Sequence, residues 1–182
     1  NPANEAVAMS LDALRYLQAE GASQFLFKYC STFDSSAAGN IGPVTEALME
    51  ALGTGMTIVC PAFPTTGRTI YKGYLFVGDQ LLSESPMRNH PITPMTDSSL
   101  VRLMAAQSHL KVGLVDYRAV ARGADAIASA LDEARVKGEQ AIVIDAISDE
   151  DLRAIGKAVA GFKLITGGSG IAIGLPENFR RA

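Results

Sequence analysis

The chain has 182 residues, of which 48% are apolar and 19% are charged, and its formal net charge is −3. This composition is typical of one globular domain with a substantial core; it excludes a disordered chain and argues against a general nucleic-acid binder, which needs a basic surface. No apolar run reaches the roughly eighteen residues of a membrane span and no signal peptide is recognisable, so we expect a cytoplasmic protein without a membrane partner.

The first part of the chain alternates helical and strand patterns. Residues 5–20 place apolar side chains at helical spacing. Phe25–Phe27 is typical of a short buried strand. A second helix is predicted to begin at Pro43 and to end at Gly53, and Thr57–Val59 is the next predicted strand.

Residues 60–97 break this alternation and hold most of the prolines. Tyr71–Val77 and Gln80–Leu82 flank Gly78-Asp79, which predicts a β-hairpin. The stretch from Ser83 to Asp97 has no regular pattern, and long loops inside compact domains are usually functional or disordered.

Alternation then resumes with a helix that Thr96 or Asp97 is predicted to cap. The remaining predicted elements are a strand at Val112–Val115, a helix around Ala124–Leu131, a strand at Ala141–Ile144, a helix behind the capping pair Ser148 and Asp151, and a last strand at Phe162–Ile165. This rhythm predicts an α/β fold: a mainly parallel sheet with helices on both faces, plus a β-hairpin and irregular insert around 60–97.

Three polar clusters come directly after predicted strands: Lys28–Ser35, Pro64–Arg68 and Thr166–Gly170. Ligands of open parallel sheets bind beyond the carboxyl ends of the strands, so the three clusters predict one ligand site. Hydroxyl groups, a lysine and the planar fork of an arginine suit a small, oxygen-rich, anionic ligand. The alternative is that the hydroxyls cap the following helices, that Arg68 is a solvated surface residue and that the glycines only permit tight turns.

Some other charged residues are weaker indications of a ligand site. Lys72, Arg88 and His90 lie in the irregular insert and favour an anion site there, although each alone is typical of an exposed side chain. Asp116 and Asp145 follow strands, where most aspartates cap helices.

The two cysteines allow a structural disulfide but favour free thiols, and the histidines do not indicate a metal site. Cys30 and Cys60 are expected to be free thiols in a reducing compartment. A Cys–His nucleophilic pair is conceivable, but buried thiols usually act as small hydrophobes. His90 and His109 are too far apart, and too unaccompanied, to indicate a metal site.

The glycine cluster Gly167–Gly170 can form a nest of N–H groups for an anion. It is not the dinucleotide fingerprint, because the last glycine of that pattern would fall on Ile173, and it is not a P-loop, because no Gly-Lys-Ser/Thr follows. A nucleotide-binding role for this turn nevertheless stays open.

Six strings spread over the chain have the length and specificity of family signatures. They are Phe27–Ser35, Gly39–Val44, Cys60–Thr69, Gly78–Ser85, Asn89–Met95 and Thr166–Gly170. They resemble the four-carbon acid sugar kinases, and most closely the 3-oxo-tetronate kinases.

The resemblance implies a two-domain kinase that phosphorylates an alcohol group of a four-carbon sugar acid with ATP and Mg²⁺. Residues 1–182 would be most of the N-terminal α/β domain, which holds the acid, while a C-terminal domain of the same protein would bind most of the nucleotide and metal. The family's opening strand with its Asp-Asp-x-Thr-Gly motif, and the Ser-Gly-Ser-Cys-like start of the nucleotide domain, have no counterpart in the sequence. We therefore expect this chain to be inactive as a kinase by itself; a homodimer is an option that the sequence leaves open.

The resemblance also implies which residues contact the acid. They are Lys28, Ser31, Thr32, Arg68, Gly168 and Ser169. No catalytic residue and no metal ligand is assigned. Asp34 stands where related kinases for other four-carbon acids have an arginine, which shifts the expected carboxylate contacts to Arg68 and Lys28. The alternatives are a non-catalytic module that binds small acids and a nucleotide-binding domain that uses Gly167–Gly170.

Overall fold

The computed structural model describes residues 1–179, and this part of the chain folds around two β-sheets. The larger sheet has five strands, all parallel, and the smaller has three antiparallel strands. The strands are β1 (Phe25–Lys28), β2 (Thr57–Cys60), β3 (Arg68–Tyr71), β4 (Tyr74–Val77), β5 (Gln80–Leu81), β6 (Val112–Val115), β7 (Ala141–Ile144) and β8 (Leu164–Gly167).

Six α-helices accompany the sheets within the described residues. They are α1 (Ala3–Ala19), α2 (Ile41–Leu52), α3 (Leu100–Gln107), α4 (Tyr117–Val120), α5 (Ala124–Val136) and α6 (Asp149–Ala158). Short 3₁₀ turns lie at Pro64–Thr66, Leu82–Glu84, Pro86–Asn89, Ser169–Gly174 and Pro176–Phe179. None of the helices within residues 1–179 combines the length and the apolar character that crossing a membrane requires.

The order of the large sheet is β1-β8-β2-β7-β6. From β1 to β2 and on to β6 the chain moves toward one edge of the sheet, and from β6 through β7 to β8 it moves back. Because parallel crossovers are right-handed, this reversal places the returning helices on the opposite face. Contacts agree: α1, α2 and α3 pack in one group, whereas α4, α5 and α6 pack in another. The prediction of helices on both faces is confirmed.

The central strands are fully enclosed, which explains their apolar sequences. All residues of β2, β7 and β8 are buried. The edge strands are partly open: Leu26 of β1 is 36% exposed and Leu114 of β6 is 39% exposed. A parallel sheet covered on both faces has continuous apolar runs in its inner strands, as Ala141–Ile144 shows.

Three predicted boundaries were wrong by a few residues. The second helix begins at Ile41, not at Pro43. The residue that caps α3 is Ser99, whose hydroxyl accepts the Arg102 N–H; Asp97 instead accepts the Ser99 N–H and pairs with Arg102. The last strand is Leu164–Gly167 and not Phe162–Ile165, since its ladder to β1 runs from Phe25 opposite Leu164 to Lys28 opposite Gly167.

The predicted hairpin around Gly78-Asp79 is confirmed as β4 and β5, but Tyr71–Val77 is not one strand. The chain turns at Lys72 and Gly73, both with positive φ (51° and 77°). This turn separates β4 from β3, which sequence patterns missed. Ile70 of β3 and Ala146 exchange two backbone hydrogen bonds of 2.8 and 3.0 Å, and they attach the small sheet to the carboxyl end of β7.

Candidate functional site

The candidate site lies at the carboxyl ends of β1, β8 and β2, which are neighbours in the sheet. The register places Gly167 beside Lys28 on one side and beside Cys60 on the other. The segments that leave these strands therefore start next to one another. They carry all six predicted acid contacts: Lys28, Ser31, Thr32, Arg68, Gly168 and Ser169.

Glycines bring two of these segments into direct backbone contact. A Cβ on Gly168 would lie 2.7 Å from the Pro61 carbonyl oxygen and 3.4 Å from the Ser31 Cα. A Cβ on Gly170 would lie 2.2 Å from the Ala62 carbonyl oxygen. Contacts this short leave no room for a side chain. The glycines therefore let the segment after β8 lie directly against the segment after β2, with Ser31 at the same junction.

An aromatic side chain fixes the start of the segment after β1. The Tyr29 ring is buried and makes edge-on contacts with Phe27 and Phe33 at centroid distances of 5.4 and 5.6 Å. Its hydroxyl lies 3.0 Å from the Thr166 Oγ1, which in turn donates to the Ile58 carbonyl at 2.7 Å. Burial raises the pKa of Tyr29 above its usual range, so the phenol stays protonated; because the Thr166 hydroxyl gives its single proton to Ile58, the phenol donates to Thr166.

Two residues of this segment adopt a conformation that side chains disfavour. Phe33 and Asp34 both have positive φ (64° and 44°), and Phe33 is only 1% exposed. The Thr32 Oγ1 donates to the Asp34 Oδ1 at 2.7 Å and lies 3.1 Å from the Cys30 sulfur. Residues in sparsely populated backbone regions cost about 1–3 kcal/mol each and cluster at binding and active sites. The tight turn holds Ser31 at the rim of the site and keeps Thr32 buried.

Gln107, at the end of α3, holds the same segment in place through its side-chain amide. Its Oε1 accepts hydrogen bonds from the Ser35 hydroxyl and the Gly42 N–H, both at 3.0 Å, and its Nε2 donates to the Ser35 carbonyl at 3.2 Å. Sequence reasoning missed this residue. The signal was present, because Gln107 continues the apolar stripe of Leu100, Leu103 and Met104 at helical spacing, and a polar side chain on a buried stripe needs partners.

Arg68 is the first residue of β3 and comes just after the turn that follows β2. Its guanidinium donates to the Thr66 carbonyl, and its Nε is buried without a hydrogen-bond partner among residues 1–179. Lys28 is exposed at the end of β1, and Ser169 is exposed at the start of the 3₁₀ turn after β8. Two positive side chains and a serine hydroxyl are thus available at this edge of the sheet.

The other cations of the insert have local roles. The Lys72 N–H donates to Asp145 and its ammonium lies 5.7 Å from the centre of the Tyr71 ring. Arg88 donates to the Ser83 carbonyl at 3.0 Å, and the His90 Nδ1 accepts the Thr93 N–H at 3.1 Å. These contacts stabilise the insert itself.

The aspartates after β6 and β7 organise backbone. Asp116 caps α4, as expected of an aspartate that follows a strand. Asp145 is fully buried and accepts the N–H groups of Lys72, Gly73 and Tyr117 at 2.6, 2.8 and 2.8 Å. Burial raises the pKa of Asp145 above its ordinary value, and the three N–H donors oppose that rise.

Both cysteines are free, as predicted. Cys60 is completely buried at the end of β2, and burial raises the pKa of its thiol to about 12. Cys30 is exposed beside Thr32. A thiol with the environment of Cys60 stays protonated at neutral pH and acts as a small apolar side chain.

Comparison with known proteins places this geometry in context. A family model described as a sugar-binding N-terminal domain matches residues 1–175. The 3-oxo-tetronate kinase of Cupriavidus necator is 62% identical over 181 residues, which is 100% of this chain and 42% of that protein; the protein of the same name from Burkholderia multivorans is 58% identical over the same share of both. The chain thus spans about two fifths of the length of the curated relatives it matches.

Solved structures share the fold. A Haemophilus influenzae protein superposes with a TM-score of 0.94 at 52% identity, over 96% of this chain and 42% of that one. A Bordetella bronchiseptica protein, described with bound citrate as a domain-swapped dimer, gives a TM-score of 0.78 at 25% identity, over 97% of this chain and 42% of that one.

Proposed function

The chain belongs to the family of sugar-binding N-terminal domains, and from this premise we propose that it forms the acid-binding part of an ATP-dependent kinase for four-carbon sugar acids of the 3-oxo-tetronate class. The observation that carries the proposal is the junction at the carboxyl ends of β1, β8 and β2. There the segments bearing Lys28, Ser31, Arg68 and Ser169 leave adjacent strands, and Gly168 packs on the segment after β2 beside Ser31. The names of the relatives at 62% and 58% identity support the substrate class.

The chemistry of the side chains fits an acid with several oxygens. Arg68 and Lys28 supply positive charge for a carboxylate, and Arg68 offers a planar fork that matches it. Ser31 and Ser169 can donate to or accept from hydroxyl groups.

The part of this chain in the reaction is to bind and orient the acceptor. Phosphoryl transfer depends on positioning and charge neutralisation more than on covalent chemistry of the protein. The tight turn of Phe33 and Asp34 and the hydrogen bonds of Gln107 keep the segment after β1 in one geometry, so that the acid meets prearranged donors. Closure of a second domain over the acid would exclude water and protect ATP from hydrolysis.

We assign ATP and Mg²⁺ to a nucleotide-binding domain of the complete protein. Residues 1–179 contain no group of three or more histidine, cysteine, aspartate or glutamate side chains that could hold a metal ion. When bound, Mg²⁺-ATP would supply the phosphoryl group; the residues of this chain would hold the acid's hydroxyl in line with it.

A calorimetric titration of the chain with an acid of the 3-oxo-tetronate class, with its alcohol analogue L-threonate and, separately, with Mg²⁺-ATP tests the proposal. We expect heat from the four-carbon sugar acid and none from the nucleotide, and no kinase turnover by the pure chain. Binding of ATP instead would favour the nucleotide-binding alternative and overturn the assignment of the glycine turn. Acid binding without any phosphorylation by the complete protein would favour a non-catalytic acid-binding module, and no heat with either acid would overturn the proposed function.

A further inference from the structure

A carboxylate follows a fourth strand, β7, at the same edge of the sheet as the site. Asp149 is the first residue of α6, which follows β7, and its Oδ2 accepts a hydrogen bond of 2.6 Å from the Thr65 hydroxyl. The other carboxylate oxygen, Oδ1, is buried and has no hydrogen-bond partner among residues 1–179. A buried polar atom without a partner is unfavourable, and each one in a folded protein needs an explanation.

The turn that holds Asp149 is also the turn of Arg68. Thr65 belongs to the 3₁₀ turn Pro64–Thr66, and the Arg68 guanidinium folds back onto the Thr66 carbonyl of that turn. The Nε of Arg68 is the other buried side-chain polar atom that lacks a partner in the described part of the chain. The turn Pro64–Thr66 therefore contacts both Arg68 and Asp149, and each of these has one buried polar atom without a hydrogen-bond partner among residues 1–179.

The strand order makes this turn continuous with the site. β2 lies between β8 and β7, and the segment after β8 packs on Pro61, Ala62 and Phe63, directly before the turn. Asp149 is thus on the far side of Arg68 from Lys28 and Ser31 in the order of the strands. Lys28 and Arg68 are therefore nearer β1 and β2, where the Asp34 carboxylate already accepts a hydrogen bond from the Thr32 hydroxyl, and the Asp149 carboxylate is at β7.

We propose that Asp149 is a substrate-binding residue that accepts hydrogen bonds from the hydroxyl end of the sugar acid. The proposal rests on the proposed function and deepens it: Lys28 and Arg68 would bind the carboxylate end of the substrate, and Asp149 its hydroxyl end. An ionised carboxylate is an acceptor only, so it binds hydroxyl groups and repels a second carboxylate. The site is therefore selective for monocarboxylic sugar acids over dicarboxylic acids of the same length.

The neighbour of Asp149 provides a matched control. Glu150 lies in the same first turn of α6, its side chain is 85% exposed, and it pairs with Arg153 at 3.6 Å. Glu150→Gln removes the same charge from the same helix end as Asp149→Asn. An effect through the helix dipole alone would appear in both variants.

The test is calorimetric titration of the chain with L-threonate and with tartrate, which differs in having a second carboxylate in place of the terminal alcohol. We expect the wild type to bind threonate more tightly than tartrate. Asp149→Asn should weaken threonate binding about tenfold or more and reduce the ratio of the threonate affinity to the tartrate affinity. Thr65→Val, which removes the hydroxyl that orients Asp149, should change the preference in the same direction, and Glu150→Gln should leave it unchanged.

Two results would overturn the proposal while leaving the proposed function standing: an unchanged preference in Asp149→Asn and Thr65→Val, or an equal change in Glu150→Gln. Thermal melts of each variant confirm that the comparison is made on folded protein. Failure of the wild type to bind either L-threonate or the 3-oxo-tetronate would instead overturn the proposed function, and this inference with it.

Discussion

In the proposed site, Arg68 is the residue on which we expect recognition of the acid group to depend most. It is half-buried, its guanidinium is held over its own turn by the Thr66 carbonyl, and its Nε has no partner among residues 1–179. A guanidinium already held in place loses little freedom when it binds a carboxylate. The departure from the family pattern at Asp34 increases the dependence on Arg68, since a carboxylate there cannot bind the acid group.

We predict that Arg68→Ala weakens binding of a four-carbon sugar acid by about ten- to a hundredfold, because a hydrogen bond to a charged group contributes about 1.5–3 kcal/mol. Arg88→Ala is the control: Arg88 lies in the same insert, is exposed and donates only to the Ser83 carbonyl. Calorimetry with threonate measures both. Equal affinity of Arg68→Ala and wild type would remove Arg68 from the site.

Among the elements, the segment between β1 and α2 depends on a helix that is remote in sequence. Gln107 at the end of α3 reaches Ser35 and Gly42 with three hydrogen bonds. A Cβ on Gly42 would lie 2.6 Å from the Gln107 Cβ, so helix α2 begins in direct contact with that side chain. The position of Ser31 and Thr32 is therefore set in part by α3.

We predict that Gln107→Leu lowers the free energy of unfolding by about 1–3 kcal/mol, because the Gly42 N–H and the Ser35 hydroxyl would stay buried without a partner. Binding of the sugar acid should weaken as well, since the segment loses its fixed geometry. Gln18→Leu on the exposed surface of α1 is the matched substitution and should change neither quantity. A thermal melt of Gln107→Leu at the wild-type temperature would contradict the prediction.

The elements themselves could largely be predicted from the sequence, because buried strands such as Thr57–Cys60 and Ala141–Ile144 are apolar runs between polar turns. The end of β8 could not. Thr166 and Gly167 are polar or small, and only pairing with both β1 and β2 makes them strand residues. The turn at Lys72 was missed for a similar reason, since the Asp145 carboxylate that stabilises it is far away in sequence.

Part of the candidate site could also be predicted. The rule that ligands bind at the carboxyl ends of strands placed the segments of Lys28, Arg68 and Gly168 at one edge of the sheet, which the structure confirms. Gln107 and Asp149 were not found. Their relation to the site depends on the order of strands and the packing of helices, which local patterns do not contain.

At the scale of the whole molecule, Asp145 joins the two sheets. One carboxylate binds the turn between β3 and β4, through Lys72 and Gly73, and the start of α4, through Tyr117. The small sheet therefore keeps a fixed position over the carboxyl end of the large one. Arg68 begins β3, so its position over the site depends on the same carboxylate.

We predict that Asp145→Asn lowers the melting temperature by roughly 5 °C, as expected for a loss of about 2 kcal/mol in a domain of this size. The amide group would turn a donor toward N–H groups that need an acceptor. Hydrogen exchange should accelerate at Lys72 and Gly73. Asp116→Asn, at an aspartate that caps α4 and pairs with the exposed Arg118, should have a smaller effect, and slow exchange at Lys72 in Asp145→Asn would refute this role.

The strand order also constrains how the chain can fold. β1 is near the beginning of the sequence, yet its sole neighbour within the described residues is β8, where Phe25 pairs with Leu164. During synthesis β1 therefore stays unpaired until β8, near the end of the described residues, has left the ribosome. Pairing of such distant segments is intrinsically slow, because the chain loses loop-closure entropy before the contacts that compensate for it can form. The candidate site, which needs β1, β8 and β2 together, is therefore expected to form last.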